Sequence, residues 1–145
     1  MRRLIVLFAA FASTGWASDH EKPIFHVEPQ YRSTFSHEGT LVVGDKLHFT
    51  FTKLAANEHF LVNRCGVPCN TSKVVFQADG ANVGDAQQTF NVVEDGTYYF
   101  WVQRVLEGGE TGPSFIDKFN SHDAHFDATF KTGSLVSGDF EHRKP

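Results

Sequence analysis

Eight histidines and two cysteines among 145 residues carry most of the chemistry available to this chain. Ser18-Asp19-His20 is one candidate site. If the mature chain begins at Ser18, a free amine, two amide nitrogens and an imidazole stand in chelating order. Such a set wraps a square-planar Cu(II) or Ni(II) ion, since tetragonal nitrogen donors are what these metals favour. No proline intervenes to block amide deprotonation. A second candidate is Ser121-His122-Asp123-Ala124-His125, with Asp127 beyond it. On a strand, His125 and Asp127 share a face, and His122 points away unless it sits in a loop. The same run also reads as a polar turn leading into a strand. His48, with Thr50 and Thr52, belongs to the polar face of a strand and reads as solvated surface. Imidazoles such as these change charge between about pH 5 and 8.

The amino-terminal residues set the compartment. Arg2 and Arg3 precede nine apolar residues, 4–12, and Gly15-Trp16-Ala17 places small side chains at the −3 and −1 positions of a cleavage site. That is the layout of a secretory signal peptide, and the apolar run is too short to span a bilayer. The sequence therefore predicts a signal peptide at 1–17, one domain at 18–137, a charged tail at 138–145, and a periplasmic or secreted protein. Cleavage removes two arginines and no acid, so the formal charge moves from −4 to −6. A net negative field opposes nucleic acid and anionic membranes. No second apolar stretch is long enough to cross a membrane.

Cys65-Gly66-Val67-Pro68-Cys69 closes a loop of a few residues. Export makes an intramolecular disulfide the expected state, and Gly66 and Pro68 suit the turn. Three intervening residues exclude a C-x-x-C redox pair, and no second cysteine pair exists to complete a structural zinc site. So short a loop gains little by chain entropy; its job is local shape.

Period-two alternation positions these groups. In 46–54, Leu47, Phe49 and Phe51 share one face and His48, Thr50 and Thr52 the other. Strands are also predicted over 59–63, 73–77, 88–93, 97–105 and 125–131, with Phe60, Val62, Phe90, Val92, Tyr98, Phe100, Phe126 and Phe130 inward. Residues 53–58 and 114–120 could each hold a short helical turn. In 97–105, Tyr99 and Trp101 make the second face apolar too. Such a strand is either central and covered on both sides or offers an exposed aromatic platform. Seven or eight short strands between turn signals predict an all-β, antiparallel sandwich of jelly-roll type.

The runs Val43-Gly44-Asp45-Lys46-Leu47-His48-Phe49, Glu58-His59-Phe60-Leu61-Val62 and Asp95-Gly96-Thr97-Tyr98-Tyr99-Phe100 resemble two kinds of secreted β-sandwich. One is the bacterial pre-peptidase C-terminal domain, with a similar order of "GD-x-L-x-F", middle and "G-T-Y-Y" strands. The other is the cupredoxin group, especially the phytocyanins, which also carry a stretch like Cys69-Asn70-Thr71-Ser72. Either resemblance covers about half of the mature chain and implies a sandwich fold; the first implies an accessory module with no required metal. A type 1 copper site needs two histidines, a thiolate and usually an axial ligand. His59 lies where the first histidine would fall, yet Val102 stands near the thiolate position and the next histidine is His122. The copper ligands of that group are therefore missing.

No G-x-S-x-G, H-E-x-x-H or phosphate-cradling loop is present, and Gly108-Gly109-Glu110-Thr111-Gly112 lacks the lysine of a P-loop. The sequence points to a non-catalytic exported sandwich without a cofactor. It is expected to bind a protein partner or small ligand through its loops or through Tyr99 and Trp101. The alternative is a periplasmic copper or nickel protein using Ser18, Asp19 and His20, with His122 and His125 as further candidate ligands.

Overall fold

The computed structural model describes residues 23–28, 34–65 and 72–144. Eleven strands and one helical turn follow one another: β1 (Ile24–Val27), β2 (Thr34–Glu38), β3 (Lys46–Thr52), β4 (Glu58–Cys65), β5 (Ser72–Asp79), α1 (Gly80–Val83), β6 (Ala86–Asn91), β7 (Tyr98–Val105), β8 (Thr111–Pro113), β9 (Ile116–His122), β10 (His125–Phe130) and β11 (Leu135–Glu141). They form two antiparallel sheets. One runs β1-β2-β7-β4-β5, with β8 paired to β7, and the other runs β6-β3-β11-β10-β9. The expected β-sandwich is what the chain adopts. No helix among the described residues is long and apolar enough to cross a membrane.

The core follows the alternation. Leu47, Phe49 and Phe51 on β3, Phe60 and Val62 on β4, and Phe100 and Val102 on β7 are all buried. Rings from the two sheets interlock: Phe49 meets Phe60 at 4.8 Å, and Phe35 meets Phe126 at 4.7 Å between centroids. Offset and edge-on contacts at these distances add to what the buried area contributes.

Three expectations change. Residues 114–120 hold most of β9, a strand rather than a helical turn. Residues 53–58 form a turn entering β4 rather than a helix. The tail expected at 138–145 begins inside a strand, because β11 runs to Glu141 with Gly138 opposite both Phe49 and Phe126. Glycine is required there: a Cβ on Gly138 would stand 2.1 Å from the Phe126 ring. The missing side chain is the space that the ring fills.

Two buried carboxylates close the ends of the sandwich. Glu58, 1% exposed, accepts from Ser114 Oγ (2.7 Å), Thr132 Oγ1 (2.7 Å), Ser134 Oγ (2.6 Å) and the Ala55 amide (3.0 Å). It thereby ties β4 of one sheet to the β10–β11 turn of the other. At another turn, Asp45 accepts from the Val42 and Arg143 amides, both at 2.9 Å. That contact holds the chain beyond β11 against the entry to β3.

Burial opposes ionisation of Glu58, but the hydroxyl and amide donors outweigh it and hold its carboxyl below the usual value. A folded-state pKa below the unfolded one stabilises above the unfolded pKa and is lost as pH falls through the folded one. Glu58→Ala would strand three hydroxyls and an amide, and should lower unfolding free energy by at least about 3 kcal/mol in urea titration. Glu58→Gln should flatten the loss of stability below about pH 4.5. An unchanged acid limb in Glu58→Gln would show that this carboxylate does not govern it.

Candidate functional site

Residues 1–22 and Cys69 lie outside the described residues, and with them the signal peptide and the Ser18-Asp19-His20 chelate. Cys65 is buried at the end of β4 and is not a free thiol. The remaining candidates fall on the outer faces of the two sheets.

The outer face of the five-stranded sheet is a lattice of imidazoles and carboxylates. His125 places Nδ1 2.8 Å from Asp139 Oδ1 and Nε2 3.2 Å from Asp127 Oδ2. Asp139 holds the His125 pKa above its ordinary value; partial burial opposes this and Asp127 adds to it. Ser137 donates to the other oxygen of Asp127. His48, expected as plain solvated surface, lies 2.7 Å from Glu141 Oε1 through Nε2 and 3.0 Å from Thr89 through Nδ1.

His122 does not point away from His125. It ends β9 directly opposite His125, so both side chains leave the same face of the sheet. The cause is the turn between them. Asp123 and Ala124 both have positive φ, 46° and 68°, as a two-residue hairpin of the I′ type requires. Asn-Gly or Asp-Gly is the usual signature of that turn, and Asp-Ala conceals it. His122 sits 3.4 Å from Asp123. Among the described residues, no group of three His, Cys, Asp or Glu side chains, as they stand, could hold a metal ion.

The six-stranded sheet turns Tyr99, Trp101 and Gln103 outward from β7, opposite the buried Tyr98, Phe100 and Val102. Tyr99 lies between Ser36 and Asn63, and Trp101 between Thr34 and Leu61. Both rings are half-buried, between the covered and open alternatives. Asn63 Oδ1, beside Tyr99, is buried without a hydrogen-bond partner.

A Ser–His–Glu cluster that the sequence did not suggest occupies the same face near β1 and β2. Ser36 Oγ donates to Glu28 Oε1 at 2.6 Å, and His26 Nε2 stands 3.1 Å from Ser36 Oγ and 3.3 Å from Glu28 Oε1. A nucleophilic relay needs the two ring nitrogens to serve the serine and the acid separately. Here one nitrogen serves both, the serine proton goes to the carboxylate, and Ser36 is 1% exposed. The cluster is a clip between strands.

No protein-family model, curated protein or solved structure matches the chain.

His37 differs from the other described histidines, which are exposed or half-buried. It points into the core beside Tyr98 with 2% exposure, its Nδ1 3.3 Å from the Tyr98 amide and its Nε2 unpartnered. Burial lowers its pKa to about 4. As pH falls, the unfolded chain takes up this proton first, so stability should decline between about pH 6.5 and 4. At ~1.4 kcal/mol per unit the loss comes to about 3 kcal/mol. Urea unfolding of wild type and His37→Gln across that range checks this: the variant should show a shallower slope, and equal slopes would assign the loss to other groups.

Proposed function

We propose that the protein is an exported, non-catalytic β-sandwich that binds a ligand over the outer face of its six-stranded sheet. The carrying observation is the pair Tyr99 and Trp101, turned outward from a central strand whose two neighbours satisfy its backbone. Rings on such a strand are held rigidly, and a rigid aromatic surface loses little entropy on binding. Thr34 and Ser36 on one side and Leu61 and Asn63 on the other frame the two rings. A ligand with a flat apolar face, as a sugar ring has, fits such a surface. The signal-peptide layout of 1–17 and the resemblance to pre-peptidase C-terminal accessory modules support export and a binding role.

Trp16 and Trp101 are the only tryptophans. After removal of 1–17, the emission of Trp101 alone reports on this face. Titration of the processed protein with soluble oligosaccharides should shift that emission. Trp101→Ala should weaken binding, followed by calorimetry, about tenfold or more. A ligand that binds with equal affinity to Trp101→Ala and leaves the wild-type emission unchanged would move the site elsewhere.

Cys65 and Cys69 are proposed as a disulfide that shapes the loop after β4. Free-thiol titration of the denatured, exported protein should find none; titration of both cysteines would refute the pairing.

A further inference from the structure

We propose that the β9–β10 hairpin binds a divalent transition-metal ion of the zinc class through His125 Nε2, Asp127 Oδ2 and His122. The reading is independent of the aromatic face, which lies on the other sheet.

The spacing of two donors carries it. His125 Nε2 and Asp127 Oδ2 stand 3.2 Å apart. Nitrogen and oxygen ligands bind zinc at about 2.0–2.2 Å, so two on one ion lie roughly 2.9–3.5 Å from each other. That contact is a hydrogen bond, so an ion entering between this imidazole and this carboxylate takes the place of the Nε2 proton, which is released to solvent.

Both donors are already oriented from behind. Asp139 Oδ1 lies 2.8 Å from His125 Nδ1. A carboxylate on the far nitrogen is the usual support of a metal-bound histidine, because it keeps the proton there and leaves Nε2 as the donor. Ser137 occupies Asp127 Oδ1 and leaves Oδ2 to the ion.

The third ligand is one side-chain rotation away. His122 is the cross-strand partner of His125, which places the two Cβ atoms about 5 Å apart. Its side chain is 89% exposed and touches Asp123 at 3.4 Å, so the ring can turn towards the ion. Two imidazoles and one carboxylate suit zinc, copper or nickel better than calcium or magnesium, whose preferred ligands are oxygens.

The test is calorimetric titration of metal-free, full-length protein with Zn2+, with the histidine rings followed by NMR. Zinc avoids the amide-nitrogen chelate at His20, which suits copper and nickel. One equivalent should bind and shift the His122 and His125 ring signals. His125→Ala and the nearly isosteric Asp127→Asn should each weaken binding at least tenfold. Asp139→Asn, acting through His125, should weaken it about 10- to 100-fold, and His20→Ala should leave it unchanged. Thermal unfolding without metal identifies any variant that fails to fold, and Asp127→Asn keeps the test open if His125→Ala is one. The proposal is overturned if wild type takes up no zinc, if Asp127→Asn binds as wild type does, or if His20→Ala alone abolishes uptake.

Discussion

The rings of Phe35, Phe49, Phe60, Phe100 and Phe126 interlock between the two sheets, and the rest of the molecule is arranged to keep them dry. Phe49 meets Phe60 and Phe100 of the opposite sheet, at 4.8 and 6.0 Å. Phe126 meets Phe25 and Phe35, at 4.9 and 4.7 Å. A core of large, flat side chains tolerates little slippage, because a one-residue shift of any strand would carry its rings to the solvent face. The register that buries Phe49 is therefore the register that exposes His48. The one that buries Phe100 turns Tyr99 and Trp101 outward. Gly138 shows how tight the fit is, since the Phe126 ring occupies the volume of its missing Cβ.

A sandwich of this kind is open at its ends, where strands leave their sheets and backbone groups lose ladder partners. Glu58 and Asp45 close those openings with charge. Each is buried to within 2% of full coverage, which would be costly for a lone carboxylate. Each is surrounded by donors that belong to separate segments of chain. A carboxylate accepts several hydrogen bonds at once, and charge-assisted bonds are stronger than neutral ones. One side chain can thus fasten three connections. His37 represents the opposite solution, a buried imidazole kept neutral.

The two outer faces carry different chemistry because the outward positions of their strands differ. The five-stranded sheet sets imidazoles beside carboxylates, across strands and along β10, so that proton and cation binding dominate there. The six-stranded sheet sets two rings beside Thr34, Ser36, Leu61 and Asn63, with imidazole–carboxylate pairs on either side, His26 with Glu28 and His59 with Asp79. Tyr99, Trp101, His48, His125 and Asp127 stand on central strands, whose backbones are paired on each side. His122 is the exception, at the end of the edge strand β9.

The sequence by itself determined the sandwich class, the inward set on β3, β4, β6, β7 and β10, and the opposite face for Tyr99, Trp101, His48, His125 and Asp127, while leaving open whether Tyr99 and Trp101 were covered. Strict alternation of large apolar residues leaves one assignment of faces. It did not disclose β9 or β11. The exposed, polar β9 is an edge strand with little to bury, and β11 interrupts its apolar face with Gly138. Nor did it disclose β2, where His37 takes a core position and breaks the pattern. Tertiary structure alone decided that Glu58 is a buried hub, because its hydroxyl partners lie 56, 74 and 76 residues away. It also decided that His122 faces His125. The polar run announced a turn there, but positive φ at Asp123 and Ala124 makes it a two-residue hairpin, and Asp-Ala does not announce that geometry. Alternation is a local property and can be read along the chain; partners brought together by closing two sheets exist only once the chain has folded.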